Sequence, residues 1–361
     1  MKLGKGKALR AIFSILLAAL ASGAGCRTVA YYSQAVAGQC QMLVGQQPIA
    51  ALVDDPNVSP DLRKQLQLVL KLRLFAMDEL KMNPAGNYLR YRELDRKFAL
   101  WVVYAAPEFD TELKSWWYPV VGRFTTRGFF KKSAARAYAK RLEEQALDVY
   151  VGGAPAYSTL GWFDDPVLST FINYSETELA DLIFHELAHH HLFLPGDATF
   201  NESFATAVAE IGVARWLEAH HDAAKRDEYL AHRKRARQFN EMLFQSREEL
   251  QKTYAQDQTD DQKRKAKARI IVQLKSRIME LSQADPSNKR LAGWSQHPVN
   301  NALLGATAVY YHQVPAFISL FEKSNRDFPT FFATVKNLTQ LNQEKREAML
   351  AGAGMKVELK K

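Results

Sequence analysis

His185 and His189 are the residues of this sequence best placed to do chemistry together, and they enclose Glu186 in the run Phe184-His-Glu-Leu-Ala-His189. On a helix the two histidines stand one turn apart on one face, so both imidazoles can reach a single metal ion. Glu186 lies about 100° round the same helix. From there its carboxylate can take a proton from a water polarised by the metal without ligating the metal itself.

A catalytic zinc takes three protein ligands and keeps a fourth position open. Two cysteines, Cys26 and Cys40, are too few to build a thiolate site, so the third ligand must be a histidine or a carboxylate. Glu202 is the leading candidate. Twelve residues separate it from His189, Pro195-Gly196 supplies a reversal, and the spacing predicts Glu202 in the first turn of the next helix. Glu210, Asp197, His190 and His191 are the alternatives. Glu210 comes two turns later, and His190 and His191 point off the ligand face. Asp197 could accept a hydrogen bond from a ligand imidazole or cap the second helix.

The elements around the motif are legible from local signals. Ser175 with Glu178 reads as a capping box, Leu179, Leu182 and Ile183 follow at helical spacing, and Pro195-Gly196 ends the helix after Leu194. Upstream, Leu62, Leu66, Val69 and Leu70 predict a helix reaching about Met82. Residues 98–158 carry the strand formers, among them Leu100–Tyr104, Trp116–Phe124 and Asp148–Gly153, with a basic amphipathic helix from Ser133 to about Leu147. The stretch 156–160 reads as a strand or hairpin. An edge strand just ahead of the motif helix would let a peptide add to the sheet. From Asp222 to Gln283 the chain is strongly charged, with two apolar stripes, Phe239/Met242/Leu243 and Ile270/Leu274/Ile278/Leu281. This predicts a long helical hairpin with a solvated charged face. Its cations and acids alternate rather than segregate, which argues against a nucleic-acid surface. After the linker at 285–288, helices are expected from about Ala302 to His312, Ala316 to Ser324 and Asp327 to Thr339, then a charged tail.

Length of 361 residues, 47% hydrophobic and 24% charged, places the chain among ordinary globular proteins. Lys2, Lys5, Lys7 and Arg10, the apolar run Ala11–Ala21 and Ser22-Gly-Ala-Gly form a signal-peptide layout ahead of Cys26. This start resembles a bacterial lipoprotein signal, in which Cys26 becomes the lipidated first residue. Removing those four cations leaves a mild positive excess from the formal net charge of +9.

His185-Glu186-x-x-His189 followed by Asn201-Glu202 resembles the gluzincin class of zinc metallopeptidases. Several further stretches together resemble the bacterial family of predicted aminopeptidases: Tyr31-Tyr-Ser-Gln-Ala, Tyr157-Ser-Thr-Leu-Gly-Trp-Phe, Phe200-Asn-Glu-Ser-Phe-Ala and Asn300-Asn-Ala. The likeness spans most of the chain apart from the charged hairpin. The chain departs from well-studied aminopeptidases in placing its third ligand sooner and in lacking a Gly/Ala-Met-x-Asn amine-binding element. The resemblance implies zinc-assisted hydrolysis of peptide bonds, with Glu186 as base and His185, His189 and Glu202 as ligands. It also implies a later Tyr or His as oxyanion donor, chosen among Tyr310, Tyr311, His297 and His312, with Tyr310 preferred.

The fold expected is α+β and mainly α-helical, a zincin-like core with a small sheet and the helical hairpin as an insertion. The expected divisions are a signal at 1–25, an N-terminal helical region at 26–97, the catalytic core at 98–221, the hairpin at 222–285 and a C-terminal helical region at 286–361. The expected partners are a peptide or protein substrate and, through Cys26, a membrane. The expected location is the bacterial cell envelope, facing the periplasm, at the outer membrane. The rival functions are an endopeptidase or narrow processing protease, and a non-catalytic binding lipoprotein with a structural metal.

Overall fold

A computed structural model describes residues 26–118, 122–156, 163–284, 294 and 298–354. The signal segment, the stretch 157–162, the linker at 285–288 and His297 lie outside the described residues.

The chain is mainly helical with small sheets. Helix α1 (Cys26–Leu43) leads into β1 (Gln47–Pro48), α2 (Ile49–Asp54) and α3 (Pro60–Asp78). The strands follow: β2 (Arg90–Arg92), β3 (Leu100–Pro107), β4 (Trp116–Tyr118), β5 (Gly122–Phe124) and β6 (Arg127–Phe129). Then come α4 (Lys132–Glu143), β7 (Leu147–Ala154) and β8 (Val167–Leu168). The remaining elements are helical: α5 (Glu176–His191), α6 (Ala198–Ala219), α7 (Ala223–Tyr254), α8 (Asp260–Ala284), α9 (Asn301–Tyr311), α10 (Val314–Lys323), α11 (Phe328–Leu338) and α12 (Gln343–Gly354).

The main sheet has the order β6-β3-β7, with both pairings antiparallel. One face, with Trp101, Val103 and Ala105, packs on Ala135 and Leu142 of α4. The other face fronts a cleft. Leu147 opens β7 instead of closing α4, so the helix is a turn shorter than its amphipathic pattern suggests. Tyr31 of α1 packs edge-on against Phe129 and near Tyr118, which accounts for an aromatic residue so early in the chain.

Helices α5 and α6 form the centre of the largest core. The capping box is present: Ser175 Oγ accepts from the Glu178 amide, and Glu178 Oε2 accepts from the Ser175 amide. The helix ends at His191, three residues sooner than Leu194, and the chain reverses through Gly196 at φ +86°, a conformation open to glycine. Asp197 then caps α6 by accepting from the Phe200 amide at 3.0 Å. The helices pack closely because position 212 has no side chain. A Cβ there would lie 2.8 Å from both Leu80 Cδ1 and Phe184 Cδ2. Phe184, Phe200, Phe204, Phe317, Phe321 and Phe331 fill the space around the pair.

The charged hairpin α7–α8 lies against the body. Leu243, Leu250, Ile270, Leu274 and Ile278 pack on Leu303 and Leu304 of α9. Many of its charges are paired with the body and so are not simply solvated. Lys267 Nζ lies 2.7 Å from Asp148, Arg264 pairs with Glu108, and Arg233 and Arg237 both reach Glu210 of α6. Glu210 therefore serves the hairpin and is not brought to the histidines. The expected charged tail is helix α12, whose Leu350 and Ala353 are buried.

Removing one partner of a buried ion pair leaves the other charge uncompensated. Glu210 is 7% exposed and Arg233 13%. Glu210→Ala should cost about 3 kcal/mol of unfolding free energy, measured by chemical denaturation, while leaving bound metal unchanged. Loss of metal in a folded Glu210→Ala chain would return Glu210 to the ligand set.

Candidate active site

The antiparallel pairing of α5 and α6 brings His185, His189 and Glu202 together. The two Nε2 atoms are 3.2 Å apart, and Glu202 Oε2 lies 3.2 Å from that of His185 and 3.5 Å from that of His189. The imidazole planes cross at 84°. Zinc–ligand bonds of about 2.0–2.1 Å at tetrahedral angles place neighbouring donor atoms about 3.3 Å apart. The three atoms thus form nearly the face of a tetrahedron around an ion of that size. Two ring nitrogens and a carboxylate oxygen directed at one point suit a cation, and the set fits a metal of zinc's preferences.

Local structure explains how Glu202 reaches the site. The Asn201 side chain accepts from the Leu194 amide at 2.8 Å and donates to the Leu194 carbonyl at 2.7 Å. It thereby pins the reversal to α6. With Asp197 as the cap, Glu202 falls in the second turn of the helix, not the first. Asp197 also receives Arg346 at 2.6 Å, so both its oxygens are committed away from the imidazoles. It does not orient a ligand, and His189 Nδ1 is buried without a hydrogen-bond partner.

The neighbours set the electrostatics. Burial alone would raise the Glu202 carboxyl, but the charges and hydrogen bonds of His189 and His185 outweigh it and hold the group well below the usual carboxylate range. Burial alone would lower the His185 imidazole. Its hydrogen bond to Glu202 and the charges of Glu202, Glu186 and Asp181 raise it instead. Burial raises the Glu186 carboxyl, with the two histidines opposing. Glu186 and Tyr310 line the same cleft as the trio, a space of about 720 Å³. The charge of Glu202, then Tyr104 and burial, push the Tyr310 hydroxyl well above its ordinary value, so it stays protonated and able to donate. Tyr104 of β3 lines the cleft beside Tyr310, and each raises or lowers the other's titration.

Of the other sequence candidates, Tyr311 also lines the cleft. His312 packs edge-on against Phe244 of the hairpin, and His191 lies against Phe332. His190 makes a buried pair with Asp165 at 2.9 Å, each side chain 6% exposed. Asp165 was not singled out from sequence. It is fixed by backbone bonds to Asn87 and Tyr88, and Tyr88 is itself fully buried at φ +58°, within the field of Glu186 and Asp165. Asn300 caps α9, and its amide donates to the Val149 carbonyl. Asn301 is buried, donating to the Pro107 and Glu108 carbonyls and accepting from Tyr254. Both asparagines tie α9 to the sheet and hold Tyr310 over the cleft. Cys26 is the first residue of α1.

The Aminopep family model, described as "Putative aminopeptidase", matches residues 30–350, and the chain belongs to this family. No curated protein and no solved structure matches the chain.

The geometry predicts one divalent transition-metal ion per chain. His189→Ala and Glu202→Ala should each abolish stoichiometric binding, because two remaining donors leave the ion open to solvent competition. His312→Ala should retain it. Elemental analysis of the purified chains decides this.

Proposed function

We propose that the chain is a zinc-dependent peptidase of aminopeptidase type. The observation that carries the reading is the placement of three donor atoms 3.2–3.5 Å apart at the wall of a cleft that also contains Glu186. Zinc held by His185, His189 and Glu202 would supply a Lewis acid that polarises the scissile carbonyl and acidifies water.

The remaining steps belong to side chains of the cleft. Glu186, half-buried and unencumbered by an arginine or lysine partner among the described ion pairs, accepts a proton at a carboxylate oxygen as water attacks. It then returns that proton to the departing amine nitrogen, so the carboxylate is regenerated and the proton count balances. Tyr310 stays protonated and donates its O–H to the oxygen on which negative charge develops.

An endopeptidase is the second reading. Among the described residues lining the cleft, the carboxylates are Glu186 and Glu202, both committed to the chemistry. A substrate ammonium group has no third carboxylate there to meet. Against a purely binding role stands the hairpin, which is packed on α9 and α6.

We further propose attachment to a bacterial membrane through a lipid on Cys26, facing the periplasm. The basic start, the apolar run and the small residues before Cys26 support this. No helix among the described residues is long and apolar enough to cross a membrane.

Glu186→Gln should lower kcat roughly 10²–10⁴-fold with bound zinc retained. Tyr310→Phe should lower kcat roughly 10²–10³-fold with KM little changed. Steady-state kinetics on a peptide series test both, and unimpaired turnover by Glu186→Gln ends the hydrolytic reading. Acetylating the N-terminus of the same peptides should abolish cleavage by an aminopeptidase; undiminished cleavage assigns an endopeptidase.

A further inference from the structure

The hydrolytic residues occupy one wall of the cleft, and the sheet forms another. Leu100, Val102 and Tyr104 of β3 line the cleft, while Trp101, Val103 and Ala105 turn to the α4 side. Residues directly opposite one another across paired strands share a face. Val102 stands between Gly128 of β6 and Gly152 of β7, Leu100 faces Ala154, and Tyr104 faces Tyr150. All of these line the cleft. A row of Gly-Val-Gly therefore crosses three strands, bounded on one side by the stacked rings of Tyr104 and Tyr150, 5.9 Å apart.

Neither glycine of that row is demanded by its backbone conformation. Neither has a positive φ, and strands ordinarily favour branched residues over glycine. A Cβ at Gly128 would meet only Leu100 Cδ1 at 3.8 Å, an ordinary contact. At Gly152 a Cβ would meet the Tyr150 hydroxyl at 3.3 Å and its ring at 3.4–3.5 Å, a tight contact to which that side chain would have to yield. Gly153 provides the contrast. It has the opposite parity on β7, and a Cβ there would sit 2.4 Å from the Phe98 ring, so packing excludes any side chain. Gly128 thus leaves space open to the cleft, and at Gly152 only the Tyr150 ring stands over the strand, whereas at Gly153 the Phe98 ring fills the place of a side chain.

The trough adjoins the reaction centre. Tyr104, which walls it, lines the same cleft as Tyr310, Glu186 and Glu202. We propose that Leu100, Val102, Gly128, Gly152 and Ala154 form the binding site for a bulky apolar side chain of a peptide substrate, aromatic or branched aliphatic, beside the scissile bond. This rests on the peptidase reading above and adds the substrate class to it.

The test uses the full chain loaded with zinc and matched peptides carrying Ala, Leu or Phe on either side of the bond. kcat/KM should favour Leu or Phe over Ala by roughly 10–200-fold at one of the two positions. Gly152→Val, which presses the Tyr150 ring into the trough, should cut that ratio at least about tenfold, as expected when a pocket loses the space for a side chain. Val102→Ala should raise the ratio of Phe to Leu. Melting curves and zinc content show that each variant is folded and loaded, and Val102→Ala decides the matter should Gly152→Val not fold. Equal turnover of Ala and Phe peptides by the wild type, or an unchanged ratio in both folded variants, overturns the proposal. Should no peptide be cleaved, the peptidase reading fails by itself, and calorimetric binding of phenylalaninamide against alaninamide tests the trough. Tighter binding of phenylalaninamide that Gly152→Val abolishes upholds the trough; equal binding overturns it.

Discussion

Glu202 can meet His185 and His189 only because α6 runs back along α5 at close range and in one register. A rotation of α6 by a single residue, about 100°, would turn Glu202 off the histidines altogether. Three contacts fix that rotation. Gly212 lets the helices approach until Phe184 and Leu80 touch the α6 backbone. Asn201 clamps both backbone groups of Leu194 and so sets where α6 begins relative to the end of α5. Asp197 caps α6 and is held in turn by Arg346, nearly at the C-terminal end of the described chain. None of these three touches the donor atoms, yet each sets the rotation of α6 or its distance from α5.

The same constraint accounts for the electrostatic character of the site. Burying a carboxylate beside two imidazoles costs solvation that must be offset locally. The two histidines offset it for Glu202, which ionises far more readily than a free carboxylate. Glu186 receives less from them, and burial raises it. Two glutamates sixteen residues apart thereby acquire opposite tendencies: one remains an anion fit to bind a cation, and the other is fit to exchange a proton.

How far the sequence revealed this depends on the range of each interaction. The capping box, the i, i+4 histidines and the Pro-Gly reversal are local, so the motif helix and the trio could be named from spacing alone. Glu202 came out in the second turn rather than the first because Asp197 caps α6 and starts it at Ala198, a start fixed by the bonds of Asp197 and Asn201. Pairings across the chain left no local trace. His190 and Asp165 are 25 residues apart, and Asp197 and Arg346 are 149 apart. The latter pair turns an apparent charged tail into a docked helix. Likewise Arg233, Arg237, Arg264 and Lys267 look solvated by composition, but acids on α6, the β3 end and β7 engage them. The glycine row is the extreme case, since its members come from three strands and acquire a common face only through register.

The hairpin's place in the fold follows from those ion pairs. Helix α9 carries Tyr310, but its own inner face is made of small residues, Ala302 and Ala306, which rest on Tyr104 and Ala106 of β3. Small residues allow close approach but bury little area, so this contact alone holds α9 weakly. The hairpin supplies the missing burial from behind, with Leu243, Ile270 and Leu274 against Leu303 and Leu304. Phe239 of α7 also packs edge-on against Trp294, a wall of the cleft. The long charged insertion is thus coupled to Tyr310, whose hydroxyl feels the charge of Glu202, and to the wall of the cleft, although none of its charges is among the described residues lining the cleft. That arrangement explains how a polar helical pair can matter to the site through its apolar stripes, with its charges serving to seat it on the sheet and on α6.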